Sequence, residues 1–265
     1  MVQLTDKVIL ITGASSGIGL ATARLCAAAG MRVALAARRL DRLKEIASEI
    51  NTSGGKAVAL ECDVSEESQC LRLAAQTLDA FGSVYAVFAN AGYGVAGSVV
   101  DSTDYDIRAI FSTNFYGSLN IIRPLLPLML EAKSGHVLMC SSCLAKIGTP
   151  YFASYSASKA AQDHYARAMR IELAGTGVHV SSVHPIGTST EFFQTSDALS
   201  PAASPRLKTP PAFMQSPDVV GKAVVKCLRK PKGEVWTSTP TRFVLGLATM
   251  FPGIADVFIK RAVKK

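Results

Sequence analysis

Two side chains, Tyr155 and Lys159, have the types and the spacing of a proton-transfer pair. They lie four residues apart at the start of a segment with helical periodicity, and residues at this spacing share one face of a helix. An isolated tyrosine is a weak acid, with a pKa of about 10. A nearby ammonium group favours the phenolate, so we expect Lys159 to lower the pKa of Tyr155. The pair could then act as a general acid and base.

A glycine-rich turn near the N-terminus has the composition of a phosphate-binding loop. Residues 12–19 read TGASSGIG and lie between an apolar run and a helical segment. Glycine lets the backbone approach a pyrophosphate closely, and a helix N-terminus offers free N–H groups. The spacing is G-x-x-x-G-x-G, because Thr22 stands where the last glycine of G-x-G-x-x-G would fall. A packing turn and an S-adenosylmethionine site are the alternatives.

The end of the second apolar run indicates which nucleotide this turn would hold. The group that binds the adenosine ribose is expected roughly 20 residues beyond the turn, where Ala37 precedes Arg38 and Arg39. No carboxylate is available there for a 2′-hydroxyl, whereas two guanidinium groups suit a 2′-phosphate. Two arginines at a helix start are also unfavourable without an anion. We predict NADP(H) over NAD(H); an ordinary charged helix start is the alternative.

Short apolar runs that alternate with helical segments must position these residues. The runs contain mainly Val, Ile and Ala and cover residues 8–12, 32–37, 57–62, 85–90, 136–141, 178–184 and 234–237. Unbroken apolar runs of this length are typical of strands buried on both faces. The alternation predicts an α/β, Rossmann-type fold, with a doubly wound seven-stranded parallel sheet and helices on both faces.

We predict one dinucleotide-binding catalytic domain over residues 1–265, because no linker divides the chain. Residues 187–217 form the one irregular stretch, with five prolines and several aromatic and aliphatic side chains. Loops this long are usually functional or mobile. We interpret the stretch as a substrate-loop insertion that covers an apolar ligand, with a docked surface loop as the alternative. A basic helical extension is predicted over about 240–265.

The charge and the cysteines limit the partners and the compartment. From Lys222 onward, ten basic residues face two acidic ones, which accounts for the whole net charge of +8. The balanced remainder argues against nucleic acid, and we favour a solvated basic helix end over contact with an anionic membrane. Six cysteines, mostly in apolar runs without a preceding secretory signal pattern, predict a reduced cytoplasmic setting. The longest apolar stretch, 243–255, is too short to span a bilayer.

The order of the motifs resembles that of the classical short-chain dehydrogenase/reductase family, over nearly the whole chain up to about Ser238. The matching residues are Thr12, Gly13, Gly17 and Gly19 of the turn, Asp63 and Val64 after the third run, Asn90-Ala91-Gly92, Asn114, Ser142, Tyr155 and Lys159. Ser142 stands thirteen residues before Tyr155, the usual family spacing. Ala89 and Ile186 depart from the pattern, replacing the first Asn of NNAG and the Gly of Pro-Gly.

The resemblance implies hydride transfer between NADP(H) and a carbonyl or secondary alcohol of an apolar substrate. Tyr155 would exchange a proton with the substrate oxygen, and Ser142 would hydrogen-bond that oxygen. Lys159 would hold the nicotinamide ribose, and Asn114 would anchor a water that leads protons to Lys159. The predicted nucleotide contacts are Gly13, Ser15, Ser16, Gly17, Ile18, Gly19, Arg38, Arg39, Asp63, Val64, Asn90, Ala91, Gly92, Tyr155, Lys159, Pro185, Thr188 and Thr190. The family also implies a homodimer or homotetramer.

The substrate is expected to face an apolar set of side chains. The predicted set is Tyr93, Cys143, Leu144, Tyr151, Phe192 and Phe193. Cys140 and Cys143 form a C-x-x-C pattern, which is a redox motif in a thioredoxin-like setting, but here we interpret both as packing residues. The four scattered histidines lack metal-ligand spacing, so no metal site is predicted. The alternative function is a catalytically silent dinucleotide-binding sensor or scaffold, which would typically lose Tyr155 or Lys159; a methyltransferase leaves most motifs unexplained.

Overall fold

A seven-stranded parallel sheet forms the centre of the molecule. The structure is a computed structural model that describes residues 1–200 and 214–263. The strands of this sheet are β1 (Val8–Thr12), β2 (Arg32–Ala37), β3 (Lys56–Glu61), β4 (Ala86–Ala89), β5 (Gly135–Cys140), β6 (Val178–His184) and β9 (Glu234–Trp236). Their order is β3-β2-β1-β4-β5-β6-β9, which confirms the predicted doubly wound sheet. The order reverses between β1 and β4, where such sheets bind ligands at the carboxyl ends of the strands.

Helices cover both faces of the sheet, which explains why the central strands β1 and β4 are almost entirely apolar. Successive residues of β1 enter different cores: Ile9 and Ile11 pack in one cluster, and Val8 and Leu10 in the other. The first cluster includes α1 (Gly17–Ala28), α2 (Leu40–Thr52) and α8 (Pro217–Arg229). The second includes α3 (Glu67–Phe81), α5 (Gly117–Glu131) and α6 (Ala153–Glu172). No polar face is left for alternation, as expected of a sheet buried on both sides.

Two short irregular helices interrupt the regular pattern beside the carboxyl edge of the sheet. Helix α4 (Asp104–Phe111) continues into a π-helix over Ser112–Tyr116, which leads directly into α5. A 3₁₀ helix over Cys143–Lys146 follows β5. Short π segments inside helices are frequent at functional sites, and these two segments carry Asn114 and the residues after Ser142.

The predicted irregular stretch 187–217 contains regular structure that the sequence analysis missed. Helix α7 spans Glu191–Leu199, and strands β7 (Gly187–Thr188) and β8 (Met214–Gln215) pair in parallel. The prediction of an irregular loop is therefore wrong over α7. The overlooked signal is Thr190, whose hydroxyl caps the helix by accepting a hydrogen bond from the Phe192 amide at 3.2 Å. Four of the five prolines, in 201–213, lie outside the described residues.

The described part of the C-terminal extension forms two helices, α9 (Thr239–Met250) and α10 (Pro252–Val263). Leu245 of α9 is buried, and the Thr249 hydroxyl donates a hydrogen bond to the Lys146 carbonyl at 3.2 Å. Within residues 1–200 and 214–263, no single helix is long and apolar enough to cross a membrane. The two helices meet that criterion only as a pair, and the pair is bent by 115°.

Candidate active site

A cleft of about 1000 Å³ at the carboxyl edge of the sheet brings most of the predicted site residues together. The predicted residues that line it are Gly13, Ser15, Ser16, Gly17, Ile18, Arg38, Arg39, Asp63, Val64, Asn90, Ala91, Gly92, Tyr93, Ser142, Cys143, Leu144, Tyr155, Lys159, Pro185, Thr188, Thr190, Phe192 and Phe193. Three predicted residues do not line it: Gly19, Asn114 and Tyr151. Residues that line the cleft without having been predicted include Tyr105, Thr149, Phe152, Leu199 and Thr241.

The glycine turn between β1 and α1 is a cradle of bare backbone. Gly13 and Gly17 have φ angles of +65° and +55°, which favour glycine. A Cβ on Gly17 would lie 2.9 Å from the Thr190 methyl carbon, and a Cβ on Gly19 would overlap the Gly13 carbonyl oxygen. Gly19 therefore acts from behind the cleft, by letting α1 approach the turn. The shape and the free helix N-terminus fit a nucleotide pyrophosphate.

The two arginines after β2 have different surroundings. The Arg38 side chain is 79% exposed, and its nearest ionic partner, Asp63, is 3.9 Å away. Arg39 donates a hydrogen bond to the Ser15 hydroxyl at 3.0 Å and another to the Glu191 carboxylate at 2.7 Å. The second bond lowers the pKa of Glu191. Arg39 thus joins the glycine turn to α7, and Arg38 is the less constrained of the two.

Burial dominates the titration of Tyr155 and Lys159. Burial raises the pKa of Tyr155, and a hydrogen bond with Ser142 opposes that rise. Lys159 Nζ lies 5.8 Å from the centre of the Tyr155 ring and donates a hydrogen bond to the Cys140 carbonyl at 2.8 Å. Burial lowers the pKa of Lys159 to about 8. The pKa of Tyr155 is therefore raised, where the sequence predicted a lowered one, because burial disfavours the charged phenolate and Lys159 is bonded to the Cys140 carbonyl instead.

The two serines after β5 have separate tasks. The Ser142 hydroxyl oxygen accepts a hydrogen bond from the Leu144 amide at 3.1 Å, which caps the 3₁₀ helix. Because the oxygen is the acceptor in that bond, its proton is available to an oxygen atom in the cleft. The Ser141 hydroxyl instead donates to the Lys159 carbonyl at 2.9 Å, which ties β5 to α6. Ser142 is thus placed to contact a substrate, and Ser141 to hold the helix.

Asn114 lies behind the cleft and holds its wall. Its side chain is fully buried; the amide nitrogen donates to the Tyr93 carbonyl and to Ser158 Oγ, both at 3.0 Å. The side-chain oxygen accepts from the Tyr93 amide at 3.0 Å. A Cβ on Gly92 would come within 2.9 Å of this oxygen and 3.2 Å of Lys159 Nζ. The predicted water-anchoring role of Asn114 stays a prediction.

Helix α7 packs an aromatic side chain, Phe192, against the ring of Tyr155. The Phe192 ring centre lies 5.4 Å from that of Tyr155 and packs against Gly94, where a Cβ would come within 2.5 Å of the ring. Phe193 contacts Phe192 edge to face at 5.6 Å. Tyr151 instead has a φ of +63°, and its carbonyl accepts from the Gly97 amide at 2.8 Å. The aromatic pair on α7 thus lines the cleft beside Tyr155, whereas Tyr151 does not line it.

A polar network that the sequence analysis missed supports Ser142 from behind. His184, buried at the end of β6, donates from Nδ1 to the Ser142 carbonyl at 3.1 Å. Its Nε2 lies 3.2 Å from an Asp163 carboxylate oxygen. The Trp236 ring stacks on His184, with ring centres 4.4 Å apart, and donates to Glu234 at 2.9 Å. His184 is therefore a buried, hydrogen-bonded residue that contacts the segment carrying Ser142 directly.

Lys146 of the 3₁₀ helix supplies the positive charge of this network. Its ammonium lies 2.6 Å from Asp163 and 3.2 Å from Glu234. Burial alone would raise the pKa of Asp163, but hydrogen bonds from His184 and Lys146 hold it well below its usual range. Asp163, His184 and Glu234 have ligand atoms within 4.8 Å of one another. The Lys146 ammonium pairs with both carboxylates, and the Arg242 guanidinium lies 3.7 Å from Glu234, so two cations of the chain face the two acidic groups of the cluster.

The two cysteines of the C-x-x-C pattern are both free thiols. Cys140 is buried at the end of β5, where burial raises its pKa. Cys143 is partly exposed in the cleft, and burial raises its pKa as well. Raised pKa values disfavour the reactive thiolate form. The arrangement fits the interpretation of both cysteines as packing residues.

Comparisons with known proteins agree with this geometry. A family model for the short chain dehydrogenases matches residues 7–199. Ketoacyl reductase HetN of Nostoc sp. is 33% identical over 262 residues, covering 97% of this chain and 89% of that protein. An alcohol dehydrogenase from the archaeon Thermococcus sibiricus, complexed with 5-hydroxy-NADP, has a TM-score of 0.76 and 28% identity, covering 87% of this chain and 95% of its own.

A second solved structure has the same fold. A short chain dehydrogenase/reductase from Burkholderia phymatum, in complex with NAD, has a TM-score of 0.85 and 24% identity, covering 96% of this chain and 97% of its own. The family match includes the glycine turn, Ser142, Tyr155 and Lys159, which the fold gathers in one cleft. The chain belongs to the short-chain dehydrogenase/reductase family of oxidoreductases.

Proposed function

We propose that this oxidoreductase uses NADP(H) to interconvert an apolar ketone and the corresponding secondary alcohol. The observation that carries the proposal is the convergence of Ser142, Tyr155 and Lys159 in one cleft, beside a turn that fits a pyrophosphate. A bound nicotinamide supplies or accepts the hydride at the substrate carbon. The remaining chemistry, which is the handling of one proton, falls to the side chains of this chain.

The proton chemistry follows from the surroundings of the three groups. Ser142 can donate a hydrogen bond to the substrate oxygen and stabilise the charge that develops there. A tyrosine with a raised pKa is protonated at neutral pH, so Tyr155 is ready to act as the acid in carbonyl reduction. Lys159 would hold the nicotinamide ribose and exchange protons near its pKa of about 8. The reverse reaction would use Tyr155 as the base.

The preference for NADP(H) is supported by Arg38. The two residues directly after β2 are arginines instead of a carboxylate that would bind a free 2′-hydroxyl, and Arg38 is exposed at the cleft. Similar structures hold NAD in one protein and an NADP derivative in another, so the family alone leaves the choice open. We expect Arg38→Ala to weaken NADPH binding by about tenfold or more and to leave NADH binding unchanged. Arg42→Ala, which removes an exposed arginine from α2, is the matched control, and equal weakening of both nucleotides by Arg38→Ala would contradict the assignment.

An apolar, acyl-like carbonyl is the substrate class that the cleft supports. Leu144, Phe192 and Phe193 line the end of the cleft near Tyr155, and the similar HetN is named a ketoacyl reductase. We further propose a homodimer or homotetramer and a reducing compartment such as the cytoplasm. Exposed apolar side chains on α4 and α5 support the first, and six free cysteines support the second.

Replacement of one hydroxyl group tests the proposed reaction. We expect Tyr155→Phe to lower kcat on a panel of apolar ketones by about 1000-fold while NADPH binding, followed by its fluorescence, is retained. Tyr165→Phe removes a hydroxyl from the same helix at a partly exposed position and should leave kcat unchanged. Full turnover by Tyr155→Phe would refute the catalytic assignment. A silent nucleotide sensor would bind NADPH and leave every ketone of the panel unreduced.

A further inference from the structure

The outward face of α9 carries apolar side chains where a solvated helix would carry polar ones. Leu245 is buried on the inward face, and the Thr249 hydroxyl, though exposed, donates to the Lys146 carbonyl. The side chains on the opposite face, each more than half exposed, are Phe243, Val244, Leu247 and Met250, followed by Phe251. Their spacing of i, i+1, i+4, i+7 and i+8 forms a single apolar stripe. This stripe has no partner among the described residues.

Helix α10 extends the stripe beyond the bend. Ile254, Val257 and Phe258 are 61%, 47% and 64% exposed, and their spacing of i, i+3 and i+4 puts them on one face. Together with Phe251 and the four exposed apolar side chains of α9, they form what we name the C-terminal surface. Single exposed apolar residues are normal, but a contiguous group of this kind marks an interaction site.

Positive charges accompany the C-terminal surface. Arg242, Lys260 and Arg261 are exposed on the same two helices, and Asp256 is the one acidic residue of residues 239–263. Helices with an apolar face and flanking basic residues lie in the plane of an anionic membrane interface. A second copy of this chain, seated on the surface by two-fold symmetry, would instead bring these basic residues toward their own copies, which is repulsive.

We propose that α9 and α10 dock this protein on an anionic lipid surface. The apolar side chains of the C-terminal surface enter the boundary between headgroups and acyl chains, and the basic residues contact the anionic headgroups. The docked helices adjoin the cleft, because Thr241 lines it and Thr249 holds the Lys146 carbonyl. This last point rests on the proposed function: an apolar ketone would dissolve in the lipid phase, and docking places the cleft next to that phase.

Sedimentation of the full chain with vesicles tests the docking. We expect binding to vesicles of phosphatidylcholine with phosphatidylserine, and binding at least about 30-fold weaker to vesicles of phosphatidylcholine alone. Phe243→Glu/Leu247→Glu should abolish binding to both kinds of vesicle. Val99→Glu/Val100→Glu is the matched control, since these valines are 74% and 94% exposed outside the C-terminal surface.

The basic residues are tested separately. Lys260→Gln/Arg261→Gln should weaken binding to the anionic vesicles by about 30-fold, since each basic residue near such a surface contributes about one kcal/mol. Lys222→Gln/Lys226→Gln, which removes the same charge from α8, should leave binding unchanged. Circular dichroism of each variant verifies that it is folded.

Three outcomes would overturn the proposal. The first is that the wild-type chain does not bind anionic vesicles, and the second is that the matched controls lose as much vesicle binding as the test variants. The third is that Phe243→Glu/Leu247→Glu dissociates a wild-type oligomer while neither protein binds vesicles. The last outcome would make the C-terminal surface a subunit interface. Because sedimentation requires neither nucleotide nor turnover, its failure is distinct from failure of the proposed reaction.

Discussion

The two ends of the cleft are held in place by different kinds of interaction. At the nucleotide end, the cleft is shaped by backbone groups, and its glycines leave no room for a side chain. At the catalytic end, Ser142 is supported by His184, Asp163 and Lys146, whose contacts join β6, α6 and the 3₁₀ helix. A site lined by backbone has no room for an added side-chain atom, and few of its groups change protonation with pH. A site held by ion pairs accommodates small changes of shape, but its stability depends on the protonation of the charged groups.

Among changes that leave the catalytic hydroxyl groups in place, the largest effect is expected at the nucleotide end, from a single added methyl group. In Gly19→Ala the new Cβ would overlap the Gly13 carbonyl, so the turn must change shape. We expect NADPH binding to weaken by at least about 100-fold, or roughly 3 kcal/mol, equally at pH 6 and pH 9. Gly246→Ala in α9, where a Cβ meets nothing within 4 Å, is the control. Normal binding by Gly19→Ala would refute the bare-backbone account.

At the catalytic end, the buried Lys159 should make the free energy of unfolding depend on pH. The folded-state pKa of Lys159 is about 8, below the usual 10.5, so the unfolded chain binds more protons between these pH values and wild-type stability rises across them. Lys159→Met lacks this effect. Relative to the variant, the wild type should gain up to about 3 kcal/mol in free energy of unfolding from pH 7 to 10.5.

Urea unfolding of both proteins over that pH range measures the gap. Lys44→Met, which removes an exposed lysine from α2, is the control and should show a constant gap to the wild type. A constant gap for Lys159→Met would mean that the buried ammonium is not destabilised, and the contrast between the two ends would lose its main support.

The ion pair beneath Ser142 should matter more than a surface pair of equal length. Lys146→Met removes the ammonium nearest to the partly buried Asp163 carboxylate and leaves it only the contact with His184, so we expect a loss of about 2 kcal/mol in free energy of unfolding. Adding Asp163→Asn should restore part of it, which a double-mutant cycle measures. Arg108→Ala breaks the exposed pair with Asp104, also 2.6 Å long, and should leave the unfolding midpoint unchanged. Equal effects of the two single variants would contradict the network.

The smallest effect is expected from the hydrogen bond to the Ser142 carbonyl. His184→Leu removes the donor, and we expect kcat to fall about tenfold, or roughly 1.4 kcal/mol, with the Kd for NADPH unchanged. His184→Gln retains a donor and should recover part of the activity. A parallel loss of nucleotide binding would indicate general damage to the fold instead of a positioning role confined to the catalytic end.

The same contrast explains how much could be predicted from the sequence. The strands and the glycine turn are local patterns, and the structure reproduces their positions within a residue or two. The contacts of Lys146 with Asp163 and Glu234 span 17 and 88 residues and depend on how β6 and β9 pair, which no local pattern specifies. The raised pKa of Tyr155 was missed for a related reason, since burial is a property of the assembled fold.

One residue of the polar network behind Ser142 gives the protein an intrinsic fluorescence signal. Trp236 is the single tryptophan of the chain, and it stacks on His184 directly behind Ser142. The intrinsic indole emission of this protein therefore originates at one place, against an imidazole ring that can quench it. A change in that emission during ligand binding or unfolding can be assigned to this corner of the molecule without attaching a dye.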